Sequence, residues 1–150
     1  MNMTLKERLQ EDLKSAMKSK DQLRLSVIRL AKAAIMNLEI AKGHELSDQE
    51  VIEVLAKEAK QRQDSIPEYE KAGRADIIET LRNEIKIVQE YLPAQLSENE
   101  IRELVKAAIA ETGASSKKEM GKVMAALMPK TKGRADGKLV NQIVGSLLGD

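Results

Sequence analysis

The chain has 150 residues, 25 Lys or Arg against 24 Asp or Glu, and a formal net charge of +1, so any electrostatic function has to come from a local patch. It has no Cys, which excludes disulfides, a thiolate nucleophile and cysteine-based metal sites; with no Phe or Trp either, only Tyr69 and Tyr91 carry rings. Leu, Ile, Val, Ala and Met must then fill the interior, and with abundant Lys, Glu, Gln and Arg they suit helix-on-helix packing rather than a sheet.

Residues 1–20 are charged throughout and lack a continuous apolar core, so no secretory signal is expected, and no apolar run is long enough to cross a bilayer. A soluble cytoplasmic protein is the resulting expectation. Helix starts are marked by capping boxes, in which a hydroxyl or carboxylate and a Glu three positions on satisfy two orphan N–H groups. Five pairs fit: Thr4/Glu7, Ser47/Glu50, Asp76/Glu79, Ser97/Glu100 and Ser116/Glu119. Gly43, Gly73 and Gly113 stand where helices would end.

Asp21 offers a further cap, for the segment "QLRLSVIRLAKAAIMNLEIA". Leu23, Val27, Leu30, Ala34 and Leu38 make one stripe there; Leu25, Ile28 and Ile35 make a second. A helix apolar on two sides is expected to be central and covered by several neighbours. From Lys57 to Lys71 the chain is polar nearly all round, which reads as a solvated hairpin tip, with a protein-docking arm as the sharper alternative. Pro67 predicts a kink or break near Ile66, because a proline in a regular interior turn costs about 3 kcal/mol. Ile78, Leu81, Ile85, Val88 and Leu92 then form a narrow seam for one partner, the preceding helix folded back at Gly73.

Leu92-Pro93 disfavours further helix and Ser97 opens a new one. Three shorter helices are predicted near 98–111, 117–127 and 138–148. The expected fold is all-α: an N-terminal helical body with a helical hairpin over 1–93, and a small three-helix module over 94–150.

The tetrapeptide GRAD occurs twice, at 73–76 and 133–136. In both, Gly supplies a left-handed cap and Asp is expected to cap the next helix. The surroundings differ: net −2 between Pro67 and Thr80, net +3 between Met128 and Val140. The first copy reads as a turn. Around the second, Lys130, Lys132, Arg134 and Lys138 cluster at a helix entrance, where N–H groups, the helix dipole and flexible cations suit a phosphate. Lys117, Lys118 and Lys122 could widen that face; the plain alternative is a lysine-rich solvated loop.

"EYLPAQLSENE" and "MGKVMAALMPKTKGRADGKLVNQIVGSLL", with the "RLSVIRL" helix and the "AGRADII" turn, resemble the YqeY family over essentially the whole chain. Over roughly 95–150 they also resemble the tail of GatB, a subunit of tRNA-dependent amidotransferases, which are carbon–nitrogen ligases with glutamine as amido-N donor. The resemblance implies an all-α protein whose tail helps hold tRNA. Carried over by residue, it points to Lys130, Lys132, Gly133, Arg134, Lys138 and Asn141, with Lys122 beside them, as RNA-binding positions. Where the amidotransferase tail typically has Asn-Pro, this chain has Asp136-Gly137, which adds a negative charge.

No residue set suits catalysis. There is no phosphate-cradling glycine motif; His44 is the single histidine, in a polar loop, without a second for a metal pair. Glu98 and Glu100 do not face one another on a helix, and Ser115 and Ser116 lack a base. No catalytic residue, cofactor or metal is therefore assigned, and no autonomous enzyme is expected. Met120, Met124 and Met128 recur on one helical face, for core packing or for an adaptable docking groove. The expectation is a non-catalytic RNA-binding accessory protein with tRNA or another structured RNA as partner and no membrane. Alternatives are a protein-interaction adaptor using the 57–72 hairpin or the Met face, with a partner in the translation machinery, and a component assisting tRNA amidation in trans.

Overall fold

A computed structural model describes residues 3–149. Seven α-helices account for the fold: α1 (Leu5–Ser19), α2 (Gln22–Lys42), α3 (Asp48–Lys71), α4 (Ala75–Gln89), α5 (Glu98–Thr112), α6 (Met120–Thr131) and α7 (Gly137–Leu147), with one 3₁₀ turn at Lys117–Glu119 before α6. No strand forms among the described residues; Ser116 and Gly149 make a single isolated bridge. The protein is all-α. The chain divides into two compact units between Leu92 and Pro93.

The caps explain most helix starts. Ser47/Glu50 and Ser97/Glu100 close full capping boxes; the Thr4 side chain accepts from the Glu7 N–H and that of Asp21 from the Arg24 N–H. Of the five expected boxes, Thr4/Glu7 is only half made and two do not form at all. Asp76 lies inside α4, whose N-cap position is Arg74; the Arg74 guanidinium holds the Asp76 carboxylate at 3.3 Å, so it does not turn back to the helix end. Ser116 makes no side-chain cap, because the Ser115 N–H takes the Glu119 carboxylate at 2.6 Å.

The first unit packs around Leu9, Val27, Ile28, Ala31, Ile35, Val51, Leu55, Val88 and Tyr91. Burying one such aliphatic side chain contributes about 1.5–3 kcal/mol. Of the two stripes expected on α2, the second is buried at Leu25, Ile28 and Ile35, whereas Leu30 of the first is 52% exposed. The first stripe is thus split: Val27 is buried and Leu23 and Leu38 pack against the core, while Leu30 stays open.

α3 and α4 form the expected hairpin through Gly73 (φ +67°), with Ile78, Ile85 and Val88 of the seam buried. The polar tip has its own small core of Ile66, Ile78 and Ile85, with Tyr69 and Leu81 against it. Arg62 lies between Glu58 and Glu84, at 3.3 and 3.4 Å, and the second pair ties α3 to α4. The expected break at Ile66 is absent: α3 runs unbroken past Pro67. Ile66 is buried against α4, and that contact offsets the one backbone hydrogen bond the proline removes near the helix end.

In the second unit α5, α6 and α7 bury Ile101, Val105, Ala108, Val123, Leu127, Val140, Ile143, Val144 and Leu148. α6 starts and ends later than expected, at Thr131, with Pro129 inside it. Thr131 is buried, and its hydroxyl donates to the Leu127 carbonyl at 3.2 Å.

Candidate nucleic-acid interface

Charge within the second unit is unevenly placed. α5 carries Glu98, Glu100, Glu103 and Glu111 against Arg102 and Lys106. From 117 to 138 the cations are Lys117, Lys118, Lys122, Lys130, Lys132, Arg134 and Lys138, against only Glu119 and Asp136. Both of those carboxylates serve local backbone. Glu119 is held below its ordinary range, foremost by the Ser115 N–H, with the Lys122 charge adding to the effect. Asp136 is the N-cap of α7 and accepts from the Lys138 N–H at 3.0 Å.

The loop between α6 and α7 is set by backbone and by one cation. Gly133 sits at φ +76°, a left-handed conformation that side chains disfavour. The Arg134 and Ala135 N–H groups both return to the Thr131 carbonyl, at 2.9 and 3.0 Å. Arg134 then turns to the segment ahead of α5: its Nε donates to the Ala94 carbonyl at 3.2 Å, and its own carbonyl accepts from the Leu96 N–H at 2.8 Å. Gln95 donates from Nε2 to the carbonyls of Gly133 and Pro93, each at 3.0 Å. Glu100, whose carboxyl is lowered chiefly by the Ser97 N–H and hydroxyl, also feels the Arg134 charge.

The expected site residues thus fall into two groups. Gly133 and Arg134 are half-buried and shape the loop; Lys122, Lys130, Lys132, Lys138 and Asn141 are exposed. Lys138 and Asn141 are three residues apart on α7 and share a face. Lys122 and Lys130 lie eight residues apart on α6, roughly 12 Å along the axis and about 80° around it. The helix entrance itself already holds the Asp136 carboxylate, so the end of α7 is not bare. Gln95 and Leu96 escaped the sequence reading, since no local pattern records a partner some forty residues away.

The two GRAD copies take different structures. In the first, the helix begins at Ala75 and Arg74 pairs with its own Asp76; in the second it begins at Gly137 and Arg134 binds Ala94. Met120 and Met124 pack on the second core, and Met128 is 53% exposed. His44 is exposed, with Nδ1 2.8 Å from the Glu45 carbonyl. No group of His, Asp or Glu among the described residues could hold a metal ion, and no described helix is long and apolar enough to cross a membrane.

The family model described as Yqey-like protein matches residues 6–148. The chain belongs to the YqeY family. Curated relatives carry the name "Altered inheritance of mitochondria protein 41, mitochondrial". The one from Pyrenophora tritici-repentis is 34% identical over 146 residues, covering 95% of this chain and 80% of its own. The Kluyveromyces lactis protein is 44% identical over 87 residues, 57% of this chain and 47% of its own. For Lachancea thermotolerans the values are 41% over 85 residues, 56% and 46%. The chain thus spans most of the first relative and about half of the other two. These names overturn the expectation of a cytoplasmic YqeY protein. That expectation was drawn from apolar patterning, whereas mitochondrial entry is directed by amphipathic, Arg-rich presequences, which such patterning does not address.

Proposed function

We propose that the second unit of this YqeY protein docks on a structured RNA, with tRNA as the class of partner. Lys122, Lys130, Lys132 and Lys138 meet phosphates, Asn141 lies beside them, and Gly133 and Arg134 hold the loop in shape. One observation carries the reading: the stretch from 117 to 138 holds seven cations and only two carboxylates. Both tyrosines lie outside this unit, so it has no ring on which a base could stack, and recognition rests on backbone shape and charge with little reading of sequence. The resemblance of residues 95–150 to a tRNA-holding tail points the same way.

The test is a titration of total tRNA and of an unrelated duplex RNA over a range of salt. Neutralising about four phosphates gives a slope of log K against log salt of roughly −3 to −4. Replacing Lys122, Lys130, Lys132 and Lys138 by Ala flattens that slope and abolishes binding. An unchanged slope in this variant refutes the reading.

A further inference from the structure

The α3–α4 hairpin carries an open cavity of about 490 Å³ along α4. Ala75, Glu79, Arg82 and Lys86 line it at spacings of four, three and four, the pattern of a helix seam. At 3.6 residues per turn these four positions fall within about 60° of arc and span roughly 16 Å of the axis. The row is exposed and faces away from the buried Ile87 and Val88. Ile78, only 9% exposed, lines the same cavity. So does Glu70 of α3, at the Ala75 end, where the Gly73 N–H returns to the Glu70 carbonyl at 3.1 Å.

Charge on this face is ordered and unpaired. Elsewhere in the hairpin neighbouring charges meet, Arg74 with Asp76 at 3.3 Å and Arg62 with Glu84 at 3.4 Å. Among the described residues, the side chains of Glu70, Glu79, Arg82 and Lys86 have no ion-pair or hydrogen-bond partner, although Glu79 and Arg82 stand three apart on one helix, a spacing that allows a pair. The acids, Glu70 and Glu79, occupy the half nearer the turn; the bases, Arg82 and Lys86, occupy the other half.

We propose that this face of α4 receives the same face of a second copy, laid antiparallel across it. The row is symmetric about its midpoint, between Thr80 and Leu81, so a two-fold axis there brings the same patch of each copy together. Glu79 then comes opposite Arg82 of the second copy, and Arg82 opposite its Glu79. Ala75, the small side chain of the row, comes opposite Lys86 of the second copy, whose stem passes over it and carries the ammonium to Glu70. A parallel copy would set Glu79 against Glu79, Arg82 against Arg82 and Lys86 against Lys86. Exposed ion pairs are individually weak, and one helix pair covers less than the about 800 Å² per partner of a standard interface. The dimer is therefore expected to be weak, with a Kd on the order of 100 μM, and to loosen as salt screens its pairs.

The experiment is sedimentation of the full chain at low and at high salt, up to about 1 mM protein, with circular dichroism confirming that each variant is folded. The wild type is expected to dimerise at low salt and to dissociate as salt is raised. Glu79→Arg alone, or Arg82→Glu alone, sets like charges opposite each other and is expected to weaken the dimer by at least about tenfold. A chain carrying both substitutions has each pair back with its direction reversed, and is expected to dimerise again. The proposal is overturned by a wild type monomeric throughout at low salt, by single variants that dimerise as the wild type does, or by a double variant that stays monomeric.

Discussion

The Arg134 Nε donates to the carbonyl of Ala94 at 3.2 Å, joining the loop before α7 to the segment before α5. A cation at the centre of the basic loop is thus partly spent on architecture. Replacing Arg134 by Ala is expected to destabilise the second unit by about 1.5–3 kcal/mol, the range for a hydrogen bond involving a charged group. Lys at this position reaches without the planar fork and restores only part of the loss. Denaturant unfolding of the three proteins checks this. The Ala variant should also weaken the proposed RNA binding while leaving most of the salt slope, in contrast to loss of the exposed lysines.

Gly133 is the second element of that loop. Alanine there pays the left-handed penalty at φ +76°, about 1 kcal/mol. Gly137 is the control: a Cβ on it meets nothing within 4 Å, and its φ is not positive. Gly137→Ala is expected to be neutral or slightly stabilising, measured by the same unfolding midpoint.

Acid stability should carry the signature of Glu50. Its carboxyl is lowered from 4.5 to about 2, foremost by the Lys42 ammonium at 2.7 Å and then by the Ser47 N–H. A depressed carboxyl adds stability above its unfolded value that is lost as pH falls toward the folded one. Wild-type stability is therefore expected to decline between pH 4.5 and about 2, with Glu50→Gln showing a shallower decline over the same window. Thermal midpoints collected across that range decide it.

In the α3–α4 hairpin, Arg62 is only 10% exposed and bonds Glu58 and Glu84. Arg62→Ala leaves the half-buried Glu84 without its cation. The expected loss is about 1–3 kcal/mol, less than for a fully buried pair. Hydrogen exchange should then rise around Ile66 and Ile78 while the core at Ile28 stays protected.

What could be read from the residues was whatever is local. Ser47/Glu50 and Ser97/Glu100 form the boxes their spacing announces, because every partner lies within one turn. Asp76 and Ser116 failed for an equally local reason: a neighbour, Arg74 in one case and Ser115 in the other, competed for the same carboxylate. The break expected at Pro67 does not form, because the burial of Ile66 is decided by α4, well along the chain. Leu30 looked like core on periodicity alone; tertiary packing buries Val27 of the same stripe and leaves Leu30 open. In the candidate site the cations were visible in the letters. The division of labour between a structural Arg134 and exposed lysines was not, since it depends on Ala94, Gln95 and Leu96.

Tyr91 is buried among the first unit's aliphatic side chains, its hydroxyl donating to Asp12 and its ring under the Arg8 guanidinium at 4.5 Å. Tyr69 belongs to that unit as well, and the second unit has no aromatic side chain. Ultraviolet absorbance and intrinsic fluorescence therefore watch one half of the molecule, while the far-ultraviolet helix signal watches both. Any gap between the two melting curves reads out directly whether the halves come apart together or one after the other.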